Sequence, residues 1–267
     1  MNILITGTNG YIGKHLSKVL PCRYYNITCI NRDICDLVNV KEVDNFFGGK
    51  HFDVVIHCAA MGGSRLRKDD DNIFYNNVQM FLNLVRNRNH FDRLIHFGSG
   101  AQKIDSGPYG FSKRIIDNMI KELGDFHNII IYGLFDENEF ETRFIKSCVN
   151  NCLNNKPIIV NDNKIMDFFH MDDLVSVVKH YMDEFLIMTI EDNLPKVIDC
   201  SYDEKMTLEE IAYTIKDLCK SDVDITYFGN NRLQNYSGQN TEYLNNIISG
   251  DFKTRLKNNV YKLMEDK

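Results

Sequence analysis

The chain has 267 residues, 43% hydrophobic and 25% charged, with a net charge of -6 at pH 7. That is enough chain for one large domain or a domain with a smaller lobe, and the acidic balance argues against a nucleic-acid partner. No apolar run approaches the roughly 18 residues that span a bilayer, and the opening MNILITGTNG has no basic or apolar leader, so a cytoplasmic protein without membrane partners is expected. The eight cysteines form no C-x-x-C pair, and Cys148 and Cys152 have no neighbouring ligands in sequence. No metal site is expected, and the thiols read as buried and reduced.

Short apolar runs alternate with helical stretches over the first half. Strands are predicted at 2–6, 26–30, 53–60, 93–99 and 128–135, with helices over 11–20, 40–47, 72–88 and 109–123 between them. Several strands are apolar on both faces, which requires a parallel sheet covered on both sides. After Phe135 the rhythm loosens. FIKSCVNNCL and 207–219 read as amphipathic helices, the latter opened by a capping box of Thr207 and Glu210, and VIDCS and DITYF as short strands. The expected architecture is a Rossmann-type doubly wound α/β sheet with a smaller mixed α/β C-terminal lobe. The first domain takes 1–135 and about 164–190, and the lobe takes about 136–163 and 191–267.

TGTNGYIG places Gly7, Gly10 and Gly13 between the first strand and the first helix. The first glycine allows a tight turn, the second lets the backbone approach a pyrophosphate, and the third lets helix and strand pack closely. The phosphates then meet the free N–H groups at the helix start, so dinucleotide binding is expected there, with Asn9, Tyr11 and Ile12 in the same turn. After the second strand, INRDICDL offers both Arg32 and Asp33. An acid at that strand tip holds the ribose of NAD, and an Arg holds the 2′-phosphate of NADP. NADP(H) is favoured over NAD(H), with Arg32 on the phosphate.

HFGSGAQKIDSGPYGFSK holds Ser99, Tyr109 and Lys113. Tyr109 and Lys113 are four apart on a predicted helix and so share a face. An ammonium beside a phenol favours the phenolate, which lets Tyr exchange a proton with a carbonyl or carbinol near neutral pH. Ser99, at a strand tip on the cofactor edge, donates to the same oxygen. The strip reads as catalytic.

With these motifs the chain resembles the extended short-chain dehydrogenase/reductases, the NAD(P)-dependent nucleotide-sugar epimerases, dehydratases and reductases. TGTNGYIG, DVVIHCAA, NNVQMFLNLV, RLIHFGSGA, PYGFSK and MDFFHMDDL carry the resemblance, which covers nearly the whole chain. RDICDL and CAAMGG are similar to the GDP-fucose synthase-like 4-ketoreductases, although Asn9 stands where those have a second phosphate-binding Arg. The resemblance implies a Ser99, Tyr109 and Lys113 triad, with Lys113 also on the nicotinamide ribose. It places Ala59 and Ala60 along the cofactor and Asp36 and Leu37 beside the adenine, with Asn77 bracing the active-site backbone. It places the substrate against Met61, Gly62, Ser99 and Tyr109, with Arg143, Lys146 and Arg232 as candidates for its diphosphate. His170 and Asp172 read as structural.

Dehydratases of the family carry an Asp-Glu pair after the strand-end Ser or Thr, and the fucose synthase has a Cys at the position of Ala101. Gly100 and Ala101 supply neither. What remains is redox at one carbon, and the resemblance implies NADPH-dependent reduction of the C4 keto group of a nucleoside-diphosphate-4-keto-6-deoxyhexose. The alternatives are a nucleotide-sugar 4-epimerase with tightly bound NAD and a non-catalytic NADP(H)-sensing protein. Phe74, Phe81, Ile115, Ile116, Met119 and Ile120 exceed what one covered helix face demands, and the family dimerises through this helix pair, so a homodimer is expected.

Overall fold

Over residues 1–64, 67–104, 107–187, 194–228 and 234–265, which the computed structural model describes, the alternating pattern folds as a Rossmann-like sheet flanked by helices. In chain order the elements are β1 (Asn2–Thr6), α1 (Tyr11–Val19), β2 (Asn26–Ile30), α2 (Val40–Phe47), β3 (Phe52–His57), α3 (Asp71–Arg86), β4 (Phe91–Ser99), α4 (Gly107–Glu122) and β5 (Phe126–Ile131). They continue as β6 (Leu134–Phe135), α5 (Phe144–Leu153), β7 (Ile158–Val160), β8 (Phe169–His170), α6 (Met171–Ile187) and β9 (Val197–Cys200). The series closes with α7 (Leu208–Leu218), β10 (Ile225–Tyr227), α8 (Glu242–Ile247) and α9 (Phe252–Glu265). The main sheet has the order β2-β1-β3-β4-β5-β9, so the winding reverses between β1 and β3.

Register and pleat together decide which side chains share a face. Leu4, Val55 and Leu94 lie in one row, since β1 pairs with β3 and β3 with β4 in parallel. That face packs on Val43 and Phe47 of α2, Met80, Phe81 and Leu84 of α3, and Ile116 and Ile120 of α4. The opposite row of Ile3, Ile5, Val54, Ile56 and Ile95 is fully buried too. Burial on both faces is why these strands carry no polar alternation.

The chain divides into two compact units, one of Met1–Ile130 and Tyr181–Ile198, the other of Ile131–His180 and Asp199–Lys267. The second stretch of the first unit therefore runs over 181–198 where the sequence suggested about 164–190. Aromatic packing within the second unit gives the reason. Phe135 meets His170 at 5.1 Å, Phe169 meets Tyr202 at 4.9 Å, and Phe168 stacks on Phe252 at 6.5 Å. The strand expected over 128–135 also breaks, into β5 and β6. At Gly133 the chain turns to pair with β8: Phe169 N–H donates to its carbonyl at 2.8 Å, and a Cβ there would lie 2.8 Å from the Phe168 ring. The expected capping box forms, with Thr207 and Glu210 each holding the other's backbone N–H.

In the second unit Asp173, fully buried, accepts Nε of Arg255 at 2.9 Å, Nη2 at 2.5 Å and the Tyr202 hydroxyl. Buried Asp167 accepts from Ser201, Lys205 and the backbone of Gly238. His170 and Asp172 sit beside this network, with Asp172 N–H donating to His170 Nδ1 at 3.2 Å. Among the described residues no helix is long and apolar enough to cross a membrane.

Candidate active site

The glycine turn follows from backbone sterics. Gly7 has φ +67°, and a Cβ on it would lie 2.6 Å from the Ala59 backbone. A Cβ on Gly13 would lie 2.4 Å from the Gly7 carbonyl oxygen. Only hydrogen fits at either place. Gly10 caps α1 without a side-chain bond, leaving the N–H groups of Tyr11, Ile12 and Gly13 at the positive end of the helix dipole. This turn borders a cleft of about 210 Å³ at the reversal between β1 and β3, where doubly wound sheets hold their ligands. Of the residues expected on a cofactor, Gly7, Asn9, Gly10, Arg32, Asp36, Leu37, Ala59 and Ala60 line it, as does Met61. Arg32 reaches across to the Met61 sulfur at 3.3 Å. Asp33 is exposed and is not among the lining residues.

The strip expected to be catalytic runs from the end of the neighbouring strand into α4. Ser99 closes β4, and its Oγ accepts the Ala101 N–H at 3.2 Å as the chain enters a short 3-10 turn. Tyr109 stands in the first turn of α4 and Lys113 one turn later. Lys113 is 3% exposed, and its Nζ donates to the Phe97 carbonyl at 2.6 Å, two residues before Ser99. The same ammonium lies 5.8 Å from the centre of the Tyr109 ring. Burial presses the Lys113 ammonium down to about 8 from its ordinary 10.5, with the Cys58 thiol acting in the opposite direction.

The loop after β3 holds the tyrosine from the other side. Gly62 and Gly63 both take positive φ, and a Cβ on Gly63 would lie 2.9 Å from the Tyr109 ring. Both carboxylate oxygens of Asp69 accept the Gly63 N–H, at 3.1 and 3.3 Å. Asn77, buried on α3, accepts the Met61 N–H at 2.8 Å and donates to the Met61 carbonyl at 2.9 Å and Ser112 Oγ at 3.1 Å. The loop that carries Met61 and Gly62 is thereby fixed to α3.

Arg143 and Lys146 belong to the second unit, where Lys146 Nζ donates to the Glu137 carbonyl and pairs with Glu141 at 3.0 Å. Arg232 lies outside the described residues. Sequence reasoning passed over Asn31, Cys35, Cys58 and Met80, which line the cleft. Asn31 and Cys58 adjoin motifs already in view, so adjacency was an available signal. Cys35 and Met80 also lie within quoted motifs, but as apolar positions they read as core until packing brings them to the cleft.

Of the apolar residues expected at a dimer face, Phe81, Ile116 and Ile120 are instead buried in the unit's own core, because α3 and α4 lie on the sheet. Phe74, Ile115 and Met119 are half-buried.

A Rossmann-like sheet with a glycine cradle at its reversal, Ser99 ending the adjacent strand and Tyr109 and Lys113 on the helix that follows, has the arrangement of an NAD(P)-dependent enzyme of the extended short-chain dehydrogenase/reductase type. The chain belongs to the NAD dependent epimerase/dehydratase family, which it matches over residues 3–186. It is 25% identical over 204 residues to CDP-abequose synthase of Yersinia pseudotuberculosis, a match spanning 67% of this chain and 72% of that protein. It superposes on NADP-bound GDP-mannoheptose C4 reductase of Campylobacter jejuni with a TM-score of 0.79 and 17% identity, over 99% of this chain and 98% of that one. It superposes equally on UDP-glucose 4-epimerase of Thermotoga maritima, solved with UDP-glucose, with a TM-score of 0.79 and 16% identity over 100% and 99% of the chains. The family's members modify nucleotide sugars.

Proposed function

We propose that the chain reduces the C4 keto group of a nucleoside-diphosphate-4-keto-6-deoxyhexose with NADPH. The observation that carries this reading is that Lys113 on α4 lies 5.8 Å from the Tyr109 ring and donates to the Phe97 carbonyl of the strand that Ser99 ends, with only Gly100 and Ala101 beyond Ser99. That set serves proton transfer at one carbonyl and supplies neither the acid pair of a dehydratase nor the thiol of a ring-carbon epimerase. The synthase and the C4 reductase among its relatives support the same direction.

The cradle fits a dinucleotide, since backbone contacts admit only glycine at Gly7 and Gly13 in the tight turn that opens α1, and the helix N-terminus there offers free N–H groups. Gly7, Asn9, Gly10 and the N–H groups of Tyr11, Ile12 and Gly13 would hold the diphosphate, with Arg32 on a 2′-phosphate, Asp36 and Leu37 at the adenine, and Ala59, Ala60 and Lys113 toward the nicotinamide. A reduced nicotinamide bound there supplies hydride. Tyr109 gives its phenolic proton to the C4 oxygen, and Ser99 donates a hydrogen bond to the same atom. The Lys113 ammonium offsets the charge that Tyr109 then carries.

The test is incubation of the purified chain with a panel of nucleotide-linked 4-keto-6-deoxyhexoses and NADPH or NADH. NADPH oxidation at least about tenfold faster than NADH oxidation, and a C4 alcohol by NMR, is expected from one charge-assisted contact at Arg32. No NADPH oxidation with any member, together with stoichiometric NAD released on denaturation, would replace this reading by the 4-epimerase.

We further propose a homodimer through α3 and α4. Tyr75 is 65% and Phe111 48% exposed, and Phe111 stacks on Phe74 at 4.9 Å. Light scattering at micromolar concentration is expected to give twice the 31.1 kDa chain mass, and a monomer there would discard the proposal.

A further inference from the structure

The pleat sets a polar row inside the apolar sheet. Register pairs Thr6 of β1 with His57 of β3, and His57 with His96 of β4. All three are buried on the face that Leu4, Val55 and Leu94 share and that α3 and α4 cover. Thr6 Oγ1 and His57 Nδ1 are 2.9 Å apart, and the two imidazole rings lie 5.4 Å apart. His96 places Nε2 at 3.3 Å from Lys113 Nζ, while its Nδ1 finds no partner among the described residues. A histidine retained merely as a satisfied core residue would have both nitrogens engaged. His96 leaves one nitrogen without a bond and spends the other on the ammonium, and the Phe81 ring closes on it edge-to-face at 5.8 Å.

We infer that His96 is a positioning residue whose neutral imidazole accepts a hydrogen bond from the Lys113 ammonium and, with the Phe97 carbonyl, keeps that buried cation charged and aimed beneath Tyr109. This role rests on the reading of Tyr109 as proton donor. The titratable groups that act on His96 are Lys113 on α4 and His57 on β3, and Lys113 in turn faces Tyr109 on α4 and Cys58 just after β3. Asp117, farther along α4, is engaged by Asn128 and Lys121. Burial, reinforced by the Lys113 charge, holds His57 down to about 3 and His96 well below 6.5, so both rings are neutral at pH 7 and available as acceptors. An acceptor on an ammonium favours the charged form, so removing it lowers the Lys113 pKa further from its position near 8.

The full chain labelled with ¹³Cε-lysine is titrated by NMR, with Lys113→Arg to assign the resonance, in wild type, His96→Phe, His96→Gln and His96→Asn. His96→Phe and His96→Asn, whose amide is too short, are expected to lower the Lys113 midpoint by roughly one to two pH units. His96→Gln, which carries an acceptor at the Nε2 position, is expected to return it toward wild type. The alkaline limb of kcat should move by the same amount. A Lys113 midpoint unchanged in folded His96→Phe, or in His96→Asn if the Phe variant does not fold, overturns the role. The titration needs no substrate, so failure to reduce any 4-keto sugar would count against the proposed reaction and leave this inference judged by its own midpoint.

Discussion

Tyr109→Phe is expected to lower kcat for carbonyl reduction by roughly 10²- to 10⁴-fold, the usual contribution of a positioned proton donor. The substitution removes one oxygen and keeps the ring, so packing against Gly63 and the approach of Lys113 Nζ at 5.8 Å survive. Dinucleotide affinity, which the proposed function places mainly at the glycine cradle and Arg32, should stay within about threefold, since the cleft lining does not include Tyr109. Single-turnover reduction and NADPH fluorescence titration separate the two quantities. A variant that keeps more than about a tenth of wild-type kcat would remove Tyr109 from the chemistry and require another donor beside Ser99.

Arg255→Ala is expected to cost about 3–5 kcal/mol of stability, through a buried carboxylate rather than through the site. Asp173 is fully buried and accepts two N–H groups of Arg255, with Tyr202 as a further donor. Without the guanidinium the carboxylate keeps its desolvation cost and loses its countercharge. For a chain of this size that corresponds to a drop of roughly 6–20 °C in melting temperature. The double variant Arg255→Ala with Asp173→Asn should recover part of the loss, because no unpaired charge then remains. A single variant melting within about 2 °C of wild type would mean that Tyr202 and solvent satisfy Asp173 unaided.

Parts of the fold and site were legible before any coordinates because they obey local rules. A positive φ favours glycine and a Cβ that would meet backbone requires it, and both conditions hold within the few residues from Gly7 to Gly13. Tyr109 and Lys113 share a helix face by spacing alone, and Ser99 ends a strand whose apolar run announces it. The capping box at Thr207 and Glu210 spans four residues and reads directly.

Other features were invisible because they depend on which strand pairs with which, and in what register. The expected strand over 128–135 breaks at Gly133 only because β8 passes close enough to claim its carbonyl. Phe81, Ile116 and Ile120 read as surplus apolar surface until the sheet and its helices enclose them. Cys35 and Met80 lie inside quoted motifs, yet only packing shows that they reach the cleft. The row of Thr6, His57 and His96 joins three strands separated by 51 and 39 positions, and a slip of one residue in either pairing would turn a histidine to the opposite face. Short-range sterics and spacing thus determined the glycine cradle and the Tyr–Lys pair from the amino-acid order alone. Long-range pairing decided what lies beneath the lysine, because a side chain's neighbours across a sheet are set by register.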